Sequence, residues 1–228
     1  MDDTATVFIV DDEVRMGLSR LLAIAGYHVR AFESAERFLV DQDADTPGCL
    51  LLDVCLRGIS GLELQHALAG SPRARPIVFL SGQGNIATAV HAMKAGAIDF
   101  LEKPIDDQRL FAAIEQALRL DAQRRLDQTV RRTILERFAT MTPREQEVMM
   151  HVVRGQLNRQ IAAELGIGEK TVKVHRGRVT TKMRVRSVPE LMHLGARLGV
   201  KSEPVLSVGA ARLDWVQSII NMPTAPMS

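Results

Sequence analysis

The sequence predicts an α/β domain, built as a doubly wound five-stranded parallel sheet, followed by an all-α domain of the helix-turn-helix type. In the first half, short apolar runs alternate with helical patterns, as buried strands of a parallel sheet do. In the second half, small and apolar residues stand at helix-turn-helix spacing. The net charge is −7 over residues 1–107, +3 over 108–137 and +6 over 138–203. This asymmetry indicates that the second domain meets a polyanion.

Composition limits the classes of protein to which this chain could belong. Its 228 residues can hold two small domains, and its apolar runs are far shorter than the roughly 18–20 residues of a membrane span. The chain opens MDDTAT without a basic-then-apolar signal segment, so we expect a cytoplasmic protein with no membrane partner. Cys49 and Cys55 are too few for a disulfide framework and lack other metal-ligand residues, so we interpret them as buried or bystander thiols.

Each element of the first domain follows from its local pattern. Gly26 ends the first helix, Ser34 is the expected N-cap of the second, and Gly96 ends the fourth. We predict strands at 7–10, 27–32, 49–53, 76–81 and 98–101, and helices at 14–25, from 34, at 61–69, at 85–95 and from about 107. Five alternating βα units predict helices on both faces of the sheet.

A segment without glycine or proline, residues 108–138, predicts a long helix. Apolar residues recur in it at every fourth position, from Leu110 to Phe138, and on a helix of about 3.6 residues per turn such a stripe winds around the axis. We predict that its early part packs on the first domain and its later part on a partner or on the second domain. A solvated connector with a few apolar anchors is an equally weighted alternative.

The second domain begins with a capped helix, in which Thr142 precedes Pro143 and Glu145 follows three residues after the cap. Two helices follow around the turn at 166–168, and the second of them, from about Glu169 to Met183, is predicted to bury Val172, His175 and Val179. A last helix is predicted from Val188. In the tail after residue 203, a short helix could carry its apolar face on three residues: Leu213, Val216 and Ile220.

Five polar residues directly follow the predicted strands: Asp11, Asp12, Asp53, Ser81 and Lys103. The carboxyl ends of parallel strands meet at one edge of a sheet, which is where such folds bind ligands. Clustered carboxylates repel one another unless a hard cation lies among them, and a nearby ammonium and hydroxyl suit a transferred phosphoryl group. These residues therefore predict a Mg²⁺-dependent phosphoryl site.

The segments IVDDE, LLDVCLRGISG, FLSGQG and MKAGAIDFLEKP resemble the receiver domain of two-component response regulators. The resemblance implies that Asp53 accepts a phosphoryl group from a sensor histidine kinase, and that the Lys103–Pro104 bond is cis. The implied Mg²⁺ ligands are Asp11, Asp12, Asp53 and the backbone carbonyl of Cys55, and the implied partners of the phosphoryl oxygens are Ser81 and Lys103, with Phe100 as the aromatic that shifts with them.

Two departures from the family pattern concern the metal. Only Glu13 separates Asp12 from the Val14–Arg15 pair, where the family normally has three residues, and Arg57 stands where a proline is usual. We predict that phosphorylation survives with an altered Mg²⁺ dependence; the alternative is a phosphorylation-independent regulator with a weakened Mg²⁺ site. An aspartyl-phosphate enzyme is disfavoured because Val54 and Cys55, not a second aspartate, follow Asp53.

The region MTPREQEVMMHVVRGQLNRQIAAELGIGEKTVKVHRGRVTTKMRVRSVPEL resembles the LuxR-type output domain of FixJ- and NarL-like regulators, with a long linker of the StyR type. The cationic outer face of its second helix suits the major groove. The resemblance implies base contacts from Lys173 and Val174, phosphate contacts from Asn158, Arg159, Lys170 and Thr171, and flanking positions for Arg176 and Arg178. Gly177 occupies a position that often bears a longer polar side chain.

Together these interpretations predict a non-enzymatic transcription regulator with three partners: a sensor histidine kinase, promoter DNA and, on activation, a second copy of itself. The predicted boundaries are a receiver domain at 1–121, a helical linker at 122–138, a LuxR-type helix-turn-helix domain at 139–203 and a C-terminal tail at 204–228.

Overall fold

The computed structural model describes residues 5–43, 45–71, 74–82 and 85–197, with the backbone alone at 196 and 197. The chain divides into an N-terminal unit, Met1–Leu126, and a C-terminal unit, Asp127–Ser228. The division lies five residues beyond the receiver boundary predicted at 121, and the predicted domain boundaries stay predictions. The tail at 204–228, with Leu213, Val216 and Ile220, lies outside the described residues.

Within its described residues, the N-terminal unit contains a five-stranded, all-parallel sheet, as predicted, and its strands are in the order β2-β1-β3-β4-β5. In the central strand pair, Val10 lies opposite Leu52, so that β1 and β3 end at the same edge of the sheet. The strands are β1 (Thr6–Val10), β2 (His28–Phe32), β3 (Gly48–Asp53), β4 (Ile77–Ser81) and β5 (Asp99–Glu102).

Helices cover both faces of this sheet because successive strand residues point to opposite sides. Val7 and Ile9 join one buried cluster, whereas Phe8 and Val10 join the other. Ser34 caps its helix by accepting the N–H of Arg37 at 3.2 Å, as predicted. The helices are α1 (Arg15–Ile24), α2 (Ala35–Asp41), α3 (Gly61–Leu68) and α4 (Ile86–Lys94).

The predicted long helix is α5, Asp107–Ala139. Its early residues Leu110 and Ile114 are buried in the core of the N-terminal unit, and its late residues Ile134 and Phe138 are buried in the core of the C-terminal unit. Between them Leu126 is 58% exposed. The winding apolar stripe therefore serves two cores in turn, which agrees with the predicted early and late packing.

The described part of the C-terminal unit continues with α6 (Pro143–Val153), α7 (Asn158–Leu165), α8 (Glu169–Met183) and α9 (Val188–Arg197). The capping box of Thr142 and Glu145 is present, with Pro143 at the first helical position. Gly195 of α9 lies so close to α6 that a Cβ there would stand 2.2 Å from Cγ1 of Val153. Among the described residues, no helix combines the length and the apolar character that crossing a membrane requires.

Candidate metal centre and nucleic-acid interface

The three predicted carboxylates come together at the carboxyl edge of the sheet. Asp11 follows β1 and Asp53 ends β3, so the sheet places both at one edge, and Asp12 joins them from the loop. Asp11 and Asp53 are buried, Asp12 is half-buried, and one carboxylate oxygen from each lies within 4.8 Å of the others. Hard oxygen donors in this arrangement suit Mg²⁺.

Lys103 lies among these acids. Its Nζ is 2.8 Å from Oδ2 of Asp11 and 3.4 Å from Oδ2 of Asp53. Burial alone would lower the pKa of Lys103, but the hydrogen bond and charge of Asp11, together with the charge of Asp53, raise the pKa instead. The ammonium therefore stays charged beside the proposed acceptor. The peptide bond from Lys103 to Pro104 is cis, as the resemblance implied.

The carboxyl group of Asp53 has one oxygen without a partner. Its Oδ1 is buried and receives no hydrogen bond of normal geometry from the described residues. Burial raises the pKa of Asp53, and the charge of Lys103 opposes that rise, as does, more weakly, the backbone N–H of Cys55 at the same carboxyl group. A buried oxygen with no donor is costly unless a cation or another group meets it. The residues present therefore fit a divalent cation at this position.

In the shortened loop after β1, Asp11 also caps the first helix. Its Oδ1 accepts the N–H of Glu13 at 2.8 Å and of Val14 at 2.6 Å, and so caps the start of α1. Val14, the residue before the helix, supplies no side-chain cap itself. Nη1 of Arg15 donates to the carbonyl of Asp12 at 2.8 Å. The loop is short, but its backbone is held by specific hydrogen bonds, a feature that the sequence reasoning missed.

The remaining predicted site residues surround this cluster. Ser81 ends β4 and is buried, and its carbonyl accepts the N–H of Lys103 at 2.7 Å. Phe100 is half-buried in β5, with its ring centroid 6.2 Å from that of Phe79. Cys55, whose carbonyl was predicted to bind the metal, is exposed. These positions are compatible with the predicted roles but do not test them.

Arg57 forms an ion pair with one of the candidate metal ligands. Its Nε lies 3.2 Å from Oδ2 of Asp12, and the Arg57 side chain is 91% exposed, against 16% for Asp12. The sequence placed a cation near the acids but did not identify which acid it meets. Because exposed ion pairs are weak, Asp12 can exchange this partner for another.

The second candidate site is the outer face of α8. Gly166 adopts the left-handed conformation, with a φ of 63°, and lets α7 turn into α8. Val172 and Val179 of α8 are buried in the same core as Ile161 of α7, so the opposite face of α8 points to solvent. His175 was predicted to be buried but is only half-buried, because it stands at the margin of the packed face. The residues exposed on the outer face are Lys170, Thr171, Lys173, Val174, Gly177, Arg178 and Thr181.

Two predicted DNA contacts, Asn158 and Arg176, touch each other. Nη1 of Arg176 donates a hydrogen bond to Oδ1 of Asn158, and both side chains are half-buried. The amide N–H₂ of Asn158 is then the end that can donate to a phosphate. Arg159 is exposed at the start of α7, which is also the positive end of the helix dipole. Asn158 and Arg159 therefore keep N–H donors for the predicted phosphate contacts.

Comparison with known proteins identifies the family. Residues 7–115 match the response regulator receiver domain, and residues 139–195 match the bacterial regulatory proteins of the luxR family. Nodulation protein W of Bradyrhizobium diazoefficiens is 44% identical over 200 residues, which is 87% of this chain and 88% of that protein. The chain belongs to the two-component response regulators with a LuxR-type DNA-binding domain.

This response regulator also resembles solved structures along most of its length. The response regulator StyR is 46% identical, with a TM-score of 0.74, and the match covers 85% of this chain and 99% of StyR. Full-length FixJ from B. japonicum is 38% identical, with a TM-score of 0.51, over 86% of this chain and 98% of FixJ. The response regulator protein TodT of Pseudomonas putida is 41% identical over 86% of this chain and 88% of TodT. Receiver fold, DNA-binding domain and regulatory family agree with the sequence prediction.

Proposed function

We propose that this regulator is switched by phosphoryl transfer to Asp53 and then binds promoter DNA through α8. The observation that carries the proposal is the buried carboxylate of Asp53: its Oδ1 has no hydrogen-bond partner, its Oδ2 lies 3.4 Å from Nζ of Lys103, and the carboxylates of Asp11 and Asp12 lie close by. A carboxylate held this way is a nucleophile next to a fixed positive charge, as phosphoryl transfer requires.

In the proposed reaction, an oxygen of Asp53 forms a bond to the phosphorus while the P–N bond of the phosphohistidine in the kinase breaks. The imidazole of the kinase leaves, and Asp53 becomes an acyl phosphate. The ammonium of Lys103 contacts the phosphoryl oxygens and neutralises part of their charge, and the hydroxyl of Ser81 donates a hydrogen bond to one of them. Asp11, Asp12, Asp53 and the carbonyl of Cys55 would hold Mg²⁺, which supplies neutralisation of charge on the transferred group.

The test is phosphoryl uptake by the full-length chain. Acetyl phosphate with Mg²⁺ should add the mass of one phosphoryl group to the wild-type protein and none to Asp53→Asn. Asp41→Asn, which removes the charge of a half-buried carboxylate paired with Arg37, is the matched control and should behave as the wild type. Uptake that persists in Asp53→Asn would contradict the assignment of the acceptor.

The switch requires that phosphorylation changes DNA binding. We expect a beryllofluoride-treated wild type to bind a promoter duplex more tightly than Asp53→Asn under the same treatment. If the two proteins bind the duplex equally well, the regulator acts independently of phosphorylation, and the proposal that phosphorylation controls DNA binding is wrong. A cytoplasmic location, where kinase and promoter would both be met, belongs to the same proposal.

A homodimer of the activated form is also part of the proposal. Ile86, Val90 and Met93 stand at i, i+4 and i+7 on α4, and all three are exposed. A second copy presenting the same stripe would cover this apolar face in a symmetric dimer. Sizing of the protein with and without beryllofluoride should show a larger species on activation, and Ile86→Glu should prevent it; a size that does not change would contradict the dimer.

A further inference from the structure

The loop after β3 holds Arg57 in a defined position. Leu56 is buried in the core, and Gly58 adopts a φ of +80°, at which a Cβ would lie 2.5 Å from Oε1 of Glu36. The same oxygen of Glu36 accepts the N–H of Ile59 at 2.9 Å. The backbone is therefore anchored on both sides of Arg57. This anchoring places the Cα of Arg57 close enough to the carboxylate cluster for its side chain to reach Asp12.

Asp12 is the acid that Arg57 meets, and it is held from two directions. Nε of Arg57 lies 3.2 Å from its Oδ2, while Nη1 of Arg15 donates to its backbone carbonyl at 2.8 Å. The cluster of Asp11, Asp12 and Asp53 thus has two ion-paired cations among the described residues, Lys103 and Arg57. Three carboxylates against two cations leave a formal charge of −1. Without Arg57 that charge would be −2.

We propose that Arg57 is an internal competitor of the divalent cation and sets the Mg²⁺ concentration at which the site is loaded. This inference rests on the Mg²⁺ site of the proposed function. Mg²⁺ accepts little deviation from octahedral geometry, so Asp12 must be released from Arg57, or shared with it, when the ion binds. The Arg57 side chain is 91% exposed and moves into solvent without breaking any packing.

The expected size of the effect follows from the exposure of the pair. An exposed ion pair changes an equilibrium by a factor of about 1.5 to 5, and removing a positive charge near a divalent ion adds a comparable factor at low ionic strength. We therefore expect Arg57→Gln to bind Mg²⁺ about threefold to tenfold more tightly than the wild type. The difference should shrink at 1 M salt, where the Debye length is about 3 Å.

The experiment is calorimetric titration of the full-length, unphosphorylated protein with MgCl₂ at low salt. The matched control is Arg119→Gln, which removes another exposed arginine of the same unit, one paired with Glu115 on α5. Arg57→Lys keeps the charge and should stay close to the wild type. The proposal predicts that, among these proteins, only Arg57→Gln binds Mg²⁺ more tightly than the wild type. A result in which Arg57→Gln binds Mg²⁺ measurably and the wild type does not also supports the proposal.

Three results would overturn the proposal. Unchanged or weaker Mg²⁺ binding in Arg57→Gln would show that Arg57 is irrelevant or orients Asp12 for the ion. An equal gain in Arg119→Gln would show that net charge alone controls the affinity. No Mg²⁺ binding by either the wild type or Arg57→Gln would remove the metal site itself, and with it the proposed function, whereas the first two results leave that function intact.

Discussion

The carboxylate of Asp121 on α5 accepts the backbone N–H of Gly48, the first residue of β3, at 2.9 Å. Both groups are buried, and they are 73 residues apart in the sequence. Arg125 completes the contact, with its Nε 2.7 Å from Oδ2 of Asp121 and its Nη2 donating to the carbonyl of Thr46. The long helix is thus fastened to the start of the strand that ends at Asp53.

Replacing Asp121 should loosen this attachment. Asp121→Ala leaves the N–H of Gly48 buried without an acceptor. We therefore expect the free energy of local unfolding around β3 to fall by about 1–3 kcal/mol. Hydrogen exchange of peptides that cover β3 measures that change directly. Glu115→Ala, which removes an exposed acid from the same helix, should change it by less than about 0.5 kcal/mol. Equal exchange in the two variants would contradict a structural role for Asp121.

The stability of the C-terminal unit should depend on pH through Glu145. The hydrogen bond from Lys182, 2.6 Å away, and the N–H of Thr142 hold the pKa of Glu145 below its usual value of 4.5. A carboxyl group with a lowered folded-state pKa stabilises the fold above the unfolded-state pKa, and this stabilisation disappears as the pH falls through the folded-state pKa.

We therefore expect unfolding experiments to show a steeper loss of stability below about pH 4.5 in the wild type than in Glu145→Gln. Glu147→Gln, on the same helix but in the more exposed pair with Arg144, is the control and should keep most of the wild-type slope. Identical pH profiles for the wild type and Glu145→Gln would rule out this contribution.

DNA binding should separate two kinds of contact. Lys173, on the outer face of α8, is predicted to contact base edges, so Lys173→Ala should cost about 1–3 kcal/mol on the specific site and relax its specificity. Arg159 is predicted to contact a phosphate, so Arg159→Ala should weaken specific and random duplexes alike and reduce the salt slope. Binding titrations on both duplexes at several salt concentrations measure this. Equal losses on both duplexes for Lys173→Ala would refute its base contact.

The two cysteines should differ in reactivity. Cys49 lies in β3, and burial, together with the charge of Asp121, raises its pKa to about 12, whereas Cys55 is exposed. Because the thiolate is the reactive form, iodoacetamide at pH 8 should modify Cys55 in the folded protein and reach Cys49 only after denaturation. Mass spectrometry of peptides checks the order, and Cys55→Ser should leave the folded chain unmodified. Early modification of Cys49 would contradict the packing of β3.

Two glycines in the C-terminal unit predict opposite outcomes for the same substitution. Apart from its chain neighbours and the nearby backbone of its own helix, a Cβ at Gly177 of α8 would meet no atom within 4 Å, so Gly177→Ala should stabilise the unit by about 0.5–1 kcal/mol. A Cβ at Gly195 would stand 2.2 Å from Cγ1 of Val153, a stiff side chain, so Gly195→Ala should destabilise it by about 1–3 kcal/mol. Denaturant unfolding of both variants measures the two changes in the free energy of unfolding. Changes of the same sign would contradict this prediction.

The sequence predicted those parts of the site that depend on strand ends. Asp11, Asp53 and Ser81 follow or end apolar runs, and parallel pairing alone brings such positions to one edge of the sheet. The helices of the C-terminal unit were predicted from local signals as well: a capping pattern for α6, a turn glycine between α7 and α8, and the spacing of apolar residues. The observed bounds of α8, Glu169–Met183, match the predicted ones.

Contacts between distant residues could not be predicted in this way. Asp121 continues the buried stripe of Ile114 and Ala117, so its burial could have been noticed, but nothing local indicates that it meets Gly48. Arg75 is similar, since its guanidinium lies 4.0 Å from the ring centroid of Phe8, a residue 67 positions earlier. Such pairs depend on the finished packing and not on any periodic pattern.

The open space beside Gly177 has a consequence for how this regulator can change its target promoters. A side chain introduced there points outward from α8, the helix proposed to read the promoter, displaces no neighbour and removes the conformational freedom of a helical glycine. New sequence preferences could therefore be acquired at this position without a compensating mutation, and that makes residue 177 a natural starting point for redirecting the regulator to other operators.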